Sequence, residues 1–250
     1  MYLQGKHALV TGGGTGIGLA IAQDLAAKGA QVTITGRRQA VLDEVATDGI
    51  SGLTMDVRDE QSVTDAIAAA VAARGPVQIC IANAGIAEGK SLHKTDMAFW
   101  RNMMATNLDG AFLTIRESLK TMRQTDWGRV IGVSSMAGLR GLPGAACYSA
   151  SKHGMIGLIR SLSEDYMGSA FTFNALCPGY VDTPIVTRNT TSIAERAGVT
   201  EDKARDMMIK ANRHQRLIEP SEVAAAAAWL IGPGSGSING QCIEIAGGQM

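Results

Sequence analysis

Tyr148 and Lys152 stand four residues apart at the start of a helical stretch, a spacing that projects both side chains from one helix face. A free tyrosine titrates at about 10, so it acts as a base near neutrality only where positive charge favours its phenolate. Lys152 is the charge that this spacing supplies. A phenol in that setting can give a proton to a developing alkoxide and take one from an alcohol. By itself such a pair is more often an amphipathic surface couple. Ser135 changes the balance: it lies just beyond the apolar run Arg129 to Ser134, where its hydroxyl can hydrogen-bond a substrate oxygen.

A second feature is the glycine-rich run Thr11-Gly12-Gly13-Gly14-Thr15-Gly16-Ile17-Gly18. It follows a short apolar run, His7 to Val10, and opens a stretch from Ile17 to Lys28 with apolar residues at helical spacing. A glycine cluster alone serves any tight turn. Between a strand and a helix it lets a ligand phosphate meet backbone N–H groups and the positive end of the helix dipole.

The elements that must position these groups alternate along the chain. Strands are expected at Gln31 to Thr35, Gly52 to Met55, Val77 to Ala82, Arg129 to Ser134, Thr172 to Leu176 and Cys242 to Ile245. Helices are expected at Gln39 to Thr47, Glu60 to Arg74, around Phe99 to Met122, and Tyr148 to Tyr166. Such alternation implies parallel strands joined by right-handed helical crossovers. The expected fold class is α/β, a Rossmann-type doubly wound parallel sheet with helices on both faces, in a single domain over residues 1–250. Residues 184–216 stand outside the alternation.

Together the T-G-x-x-x-G-I-G turn, Asn83-Ala84-Gly85, Asn107, Ser134-Ser135, Tyr148-Ser149-Ala150-Ser151-Lys152 and Pro178-Gly179 resemble the short-chain dehydrogenase/reductase family over almost the whole chain. The resemblance implies hydride exchange between a nicotinamide cofactor and a secondary alcohol or ketone. It also implies that Asn107 holds a water of the proton relay, Ser135 orients the carbonyl, Tyr148 is the acid/base, and Lys152 binds the nicotinamide ribose. For the cofactor it implies a seat of Gly12, Thr15, Gly16, Ile17 and Gly18, with Asp56 and Val57 near the adenine. Asn83, Ala84 and Gly85 would lie under the ribose, and Pro178, Gly179, Val181 and Thr183 beside the nicotinamide. Ala82 departs from the pattern, since many relatives carry asparagine there. Thr15 stands where some NADP-binding relatives have a basic residue.

Cofactor choice turns on the end of the second strand. NAD-binding proteins of this architecture usually have an acid there to accept bonds from the ribose. This chain has Gly36 followed by Arg37 and Arg38. With no carboxylate to repel it, a 2′-phosphate could be held by Arg37, whose guanidinium combines charge with a planar donor fork. NADP(H) is therefore favoured, with NAD(H) the alternative.

Residues 184–216 resemble the family's variable substrate lid, aided by Met136 to Cys147 and Ile86 to Ser91. Leu142, Tyr180, Val186 and Met207, with Leu139, Cys147 and Met208, are candidates for an apolar wall, and Ser135 and Tyr148 would meet the reacting oxygen. Arg188, Arg196, Lys203, Arg205, Lys210, Arg213 and Arg216 make the lid basic. That character suits a phosphorylated carrier such as coenzyme A, although the interleaved acids fit a solvated helical face. A 3-oxoacyl thioester reductase or 3-hydroxyacyl dehydrogenase is thus the second reading, and a catalytically idle nucleotide-binding protein a remote third.

Other chemistries find less support. Ala84 to Ser91 nearly spells a phosphate-binding loop, but Ala84 replaces its first glycine. There is no G-x-S-x-G elbow, and His7, His93, His153 and His214 have no evident catalytic partners. The singly placed Cys80, Cys147, Cys177 and Cys242 suggest neither a metal site nor a disulfide framework, and their use fits a cytoplasmic protein. Lys plus Arg and Asp plus Glu both number 23, so no net field draws the chain to nucleic acid or to an anionic membrane. The longest apolar run, Val223 to Ile231, is too short to cross a bilayer. Apolar residues beyond a single stripe in Asn107 to Met122 and Gly154 to Leu162 suggest subunit contacts, and with the resemblance they point to a homotetramer.

Overall fold

Apolar runs bounded by glycine and polar turns become strands here because both faces of the sheet are covered, so no alternation with polar residues is needed. A computed structural model describes residues 1–249; Met250 and the side chain of Arg196 lie outside the described residues. The chain runs β1 (His7–Thr11), α1 (Gly16–Ala27), β2 (Gln31–Gly36), α2 (Gln39–Asp43), β3 (Ile50–Thr54), α3 (Glu60–Arg74) and β4 (Val77–Ala82). It continues through α4 (Met97–Met104), a π-helical turn (Ala105–Asp109), α5 (Gly110–Met122), β5 (Gly128–Val133), α6 (Ala146–Asp165) and β6 (Phe171–Pro178). It ends with α7 (Pro184–Ala197), α8 (Glu201–Ala211), α9 (Pro220–Ile231) and β7 (Cys242–Ile245).

The strands form one seven-stranded sheet in the order β3-β2-β1-β4-β5-β6-β7, parallel throughout. The order reverses between β1 and β4, which opens a crevice beyond their carboxyl ends. Successive strand residues feed opposite cores. Val10, Ile34, Ile81, Ile131 and Leu176 pack with α1 and α9, whereas Leu9, Cys80, Val130 and Phe173 pack with α3, α5 and α6. Among the described residues no helix is long and apolar enough to cross a membrane. All four cysteines are unpaired, with Cys242 the one that is not buried.

Three elements differ from the periodicity. Helix α2 stops at Asp43 instead of Thr47, because Thr47 turns back to pair antiparallel with Ile50. The long helix expected through Asn107 is broken by the π turn into α4 and α5. Residues 184–216 hold two helices, α7 and α8, with a small core of their own made by Val186, Met208 and Leu217.

Candidate active site

The crevice between β1 and β4 is closed at its base by one hydrogen-bond lock. Thr11 Oγ1 accepts from the backbone N–H of Asn83 at 3.0 Å and of Ala84 at 2.9 Å. Asn83 Nδ2 donates back to the carbonyls of Thr11 and Gly12, at 2.8 and 3.3 Å. A Cβ on Gly18 would fall 2.4 Å from the Gly12 carbonyl oxygen, so helix α1 can enter this close to the turn only with glycine there.

Gly12 and Gly16 take φ of 63° and 55°, the left-handed region that glycine tolerates. Thr15 sits at the N-cap of α1 in an extended conformation, yet its hydroxyl makes no capping bond, and the first turn carries no acid. The N–H groups of that turn, Ile17 and Gly18 among them, are therefore free to meet an anion. Thr183 closes over them, its Cγ2 lying 3.1 Å from where a Cβ on Gly16 would be. This cradle fits the diphosphate of a dinucleotide.

Past β2, Arg37 and Arg38 are exposed and form no ion pair among the described residues. Past β3, Asp56 is gripped by Arg58, whose Nε and Nη2 donate at 3.0 and 2.6 Å. That guanidinium holds the Asp56 carboxyl below the usual carboxylate range, and the charge of Arg37 acts in the same direction. Arg58 is a neighbour that motif reasoning does not find, since its partnership depends on the chain bending back after Asp56. Val57 is buried against Gly110 at the start of α5.

The expected catalytic residues come together from three elements. Ser135 caps a short 3-10 turn after β5, its Oγ accepting from the Ala137 N–H at 3.1 Å, and it lies near the Tyr148 phenol. Tyr148 is half-buried on the first turns of α6. Lys152 is 4% exposed, donates to the Val133 carbonyl at 2.8 Å, and holds its Nζ 5.8 Å from the centre of the Tyr148 ring. The same Nζ stands 3.6 Å from where a Cβ on Gly85 would sit. Asn107 is fully buried within the π turn. Its side chain accepts from Ile86 N at 2.8 Å and donates to Ile86 O at 2.9 Å and to Ser151 Oγ at 3.1 Å, so the carboxamide holds the loop after β4.

Burial dominates the electrostatics. It pushes the Tyr148 phenol up from its ordinary value, with Tyr180 and Cys177 adding to the rise and Ser135 opposing it. It holds the Lys152 ammonium down to about 8. The spacing of the pair suggests a phenol lowered by its lysine; instead the protein's own groups drive both residues toward their neutral forms.

Strand β6 ends at Pro178, and Gly179, Tyr180, Val181 and Thr183 carry the chain across the mouth of the crevice. Asp182, Thr183, Pro184, Thr187 and Arg188 line a recess of about 530 Å³ there. A larger recess, about 720 Å³, opens away from these residues, between α1 and α9 beside Trp229. Of the expected wall, Leu142 and Tyr180 are half-buried. Val186 is turned into the lid's own core, 4% exposed, and Met207 is 49% exposed while its neighbour Met208 takes the core position. Three basic residues of the segment are paired: Arg205 with Asp182, Lys210 with Asp206, and Arg216 with Glu222. His7 bonds Gly75 O and Thr33 Oγ1 inside the fold, and His153 bonds the Ser149 carbonyl on its own helix, so both serve structure.

A doubly wound sheet with Tyr148, Lys152 and Ser135 at its switch-point edge defines an oxidoreductase acting on an alcohol–ketone couple. Residues 6–194 match the family described as short chain dehydrogenase. The chain is 34% identical over 249 residues to a putative ketoacyl reductase of Streptomyces coelicolor, covering 96% of this chain and 95% of that one. It is 33% identical over 254 residues to a D-beta-hydroxybutyrate dehydrogenase of Rhizobium meliloti, covering 97% and 98%. A crystal structure of an actinorhodin polyketide ketoreductase variant with NADPH superposes with a TM-score of 0.94 at 33% identity, over 97% of this chain and 96% of that one. The chain belongs to the short chain dehydrogenase family.

The lowered Lys152 value has a measurable consequence. The unfolded lysine holds its proton up to its ordinary 10.5 and the folded one only to about 8, so between these values the unfolded chain binds more protons and folding gains stability as pH rises. Wild-type stability relative to Lys152→Met is expected to climb across that window, and to be lowest below it, where the buried ammonium is charged. Urea unfolding of both proteins at several pH values checks this; a difference that stays constant with pH would show that Lys152 titrates normally.

Proposed function

We propose that this protein reduces a ketone to a secondary alcohol with NADPH, with Tyr148 as the proton donor. The observation that carries the reading is the meeting of Ser135, Tyr148 and Lys152 beside the phosphate cradle of α1. Bound NADPH supplies the hydride, and its oxidised ring supplies a positive charge. Ser135 lies near enough to favour the Tyr148 phenolate, so both hydroxyls can address one carbonyl oxygen. A phenol held above its ordinary value keeps its proton at neutral pH, which is the form that donates to a developing alkoxide. Lys152, fixed by the Val133 carbonyl and close against Gly85, binds the nicotinamide ribose. Asn107 secures Ile86, and its π turn displaces local backbone from the helical ladder to hold a water of the proton relay.

Gly12, Thr15, Gly16, Ile17 and Gly18 hold the diphosphate, Asp56 and Val57 flank the adenine, and Asn83, Ala84 and Gly85 lie under the ribose. Pro178, Gly179, Val181 and Thr183 border the nicotinamide. Arg37, with Arg38 beside it, takes the 2′-phosphate, since both are exposed and form no ion pair among the described residues. Residues 184–216 form the lid over the ketone, with Leu142 and Tyr180 lining the pocket. A 3-oxoacyl thioester is the second substrate reading, favoured by the relative named a ketoacyl reductase and by Arg188 and Lys203, which form no ion pair among the described residues. The free thiols suit a reducing compartment, and we place the enzyme in the cytoplasm.

Three outcomes test this reading. Tyr148→Phe removes only the transferable proton, so turnover falls about 10²–10⁴-fold while NADPH binding followed by fluorescence is unchanged; wild-type turnover in that variant would refute the role. Arg37→Ala is expected to weaken NADPH by roughly ten- to a hundredfold, the loss of one charge-assisted contact, and to leave NADH alone. Equal effects on both cofactors would remove Arg37 from the 2′-phosphate site. The half-exposed Phe112 under Arg116 on the outer face of α5 supports assembly through that face as a homotetramer. Light scattering at micromolar concentration should then give four times the 26.1 kDa chain mass, and a monomeric mass would exclude it.

A further inference from the structure

The side chain of Asn212 is 0% exposed, and every polar atom on it is bonded to backbone. Its Oδ1 accepts the Tyr180 N–H at 2.9 Å, and its Nδ2 donates to the Tyr180 carbonyl at 2.9 Å and to the Arg216 carbonyl at 2.7 Å. One carboxamide thus grips a single residue at both its N–H and its C=O, and ties it to the segment that leaves the lid. Tyr180 lies beyond the last pair of the β6–β7 ladder, Pro178 with Ile245, so no sheet rung fixes its N–H. Asn212 supplies the missing rung.

The neighbouring residues are built around this contact. A Cβ on Gly179 would fall 2.3 Å from Asn212 Oδ1, so the glycine of the Pro178-Gly179 pair is what admits the amide. Gly179 N–H donates to Ile245 O at 2.9 Å, and Arg213 N–H donates to Ala246 O at 2.9 Å. The end of β6, the end of the lid and the chain after β7 therefore meet at one buried amide. Rotating the Tyr180 peptide would move the flank expected beside the nicotinamide and swing the Tyr180 ring, which stands close enough to Tyr148 to influence its phenol.

We propose that Asn212 is a positioning residue for the reaction: it sets the path of Pro178 to Val181, and so places the nicotinamide end of the cofactor and the ketone against Tyr148. The inference rests on the nicotinamide reading of the site. It separates from a general stabilising role because it concerns one end of the cofactor only.

Asn212→Ala removes all three side-chain bonds. Calorimetric titrations with NADPH and with 2′,5′-ADP, which keeps the adenosine end and has no nicotinamide, read the two ends apart. NADPH affinity is expected to fall about tenfold or more, the scale of lost buried hydrogen bonds, while 2′,5′-ADP changes by less than about twofold. Equal losses for both ligands, or no loss for either, would overturn the assignment. Gly179→Ala gives a second route, because its added Cβ strikes the amide. It should weaken NADPH in the wild-type background and add little once Asn212 is alanine, whereas additive losses in the double variant would also overturn the assignment. Wild-type protein that binds 2′,5′-ADP and not NADPH would defeat the nicotinamide reading itself, and this assignment with it.

Discussion

The interaction on which the site depends is the lock between Thr11 and Asn83. Strands β1 and β4 are neighbours whose following segments leave in opposite directions, so a gap must open beyond their ends. Backbone groups lining such a gap have no ladder partners, and unpaired polar groups in a partly dry crevice are costly. Thr11 Oγ1 takes two of those N–H groups and Asn83 Nδ2 takes two of the carbonyls. The glycine turn before α1 and the loop before Ile86 are thereby held in fixed relation. Asn107 then fastens Ile86 from the other side, so the phosphate cradle and the proton-transfer groups are connected by a continuous set of bonds.

Within that frame, desolvation decides the chemistry. Removing water raises a phenol and lowers an ammonium, and both effects disfavour charge in the same small volume. Tyr148 moves up and Lys152 moves down, so the phenol keeps its proton and the ammonium holds its own less tightly than an exposed lysine does. Four-residue spacing shows that the two can be near each other. It carries no information about the dielectric around them, which is why the electrostatic direction was not legible before the fold. Ser135 opposes the rise of the phenol.

The strand and helix alternation was legible because a sheet covered on both faces leaves long apolar runs between glycine-marked turns. The motif residues were legible for the same reason: Gly12, Asn83, Ser135 and Pro178 each fall at the end of a strand, and parallel strands bring their ends to one edge. What stayed hidden depends on contacts distant in sequence or on single-residue geometry. The π turn at Asn107 inserts into a run whose apolar pattern reads as one helix. Helix α9 is rich in alanine and apolar on most sides, so it shows little amphipathic stripe; only its buried packing against α1 reveals its place. Met207 and Met208 are chemically alike, and which of them turns inward depends on the phase of α8. Arg58 and Asn212 are recognisable only by what they touch.

The segment 184–216 shows how these layers divide labour. Its core is small, made by Val186, Met208 and Leu217 with a few partly buried neighbours, and it is separate from the two large cores on either side of the sheet. Its attachment to the body therefore relies on directional bonds: the Val181 bridge to Ile218, the Asp182 N–H to the Ile218 carbonyl, and the Asn212 carboxamide on Tyr180. A few hydrogen bonds can be broken and remade without exposing either main core. Directional bonds also fix orientation in a way that apolar contact does not, because their strength falls steeply with angle. A segment anchored in this manner holds the strand end after Pro178 in a single arrangement without drawing on either main core.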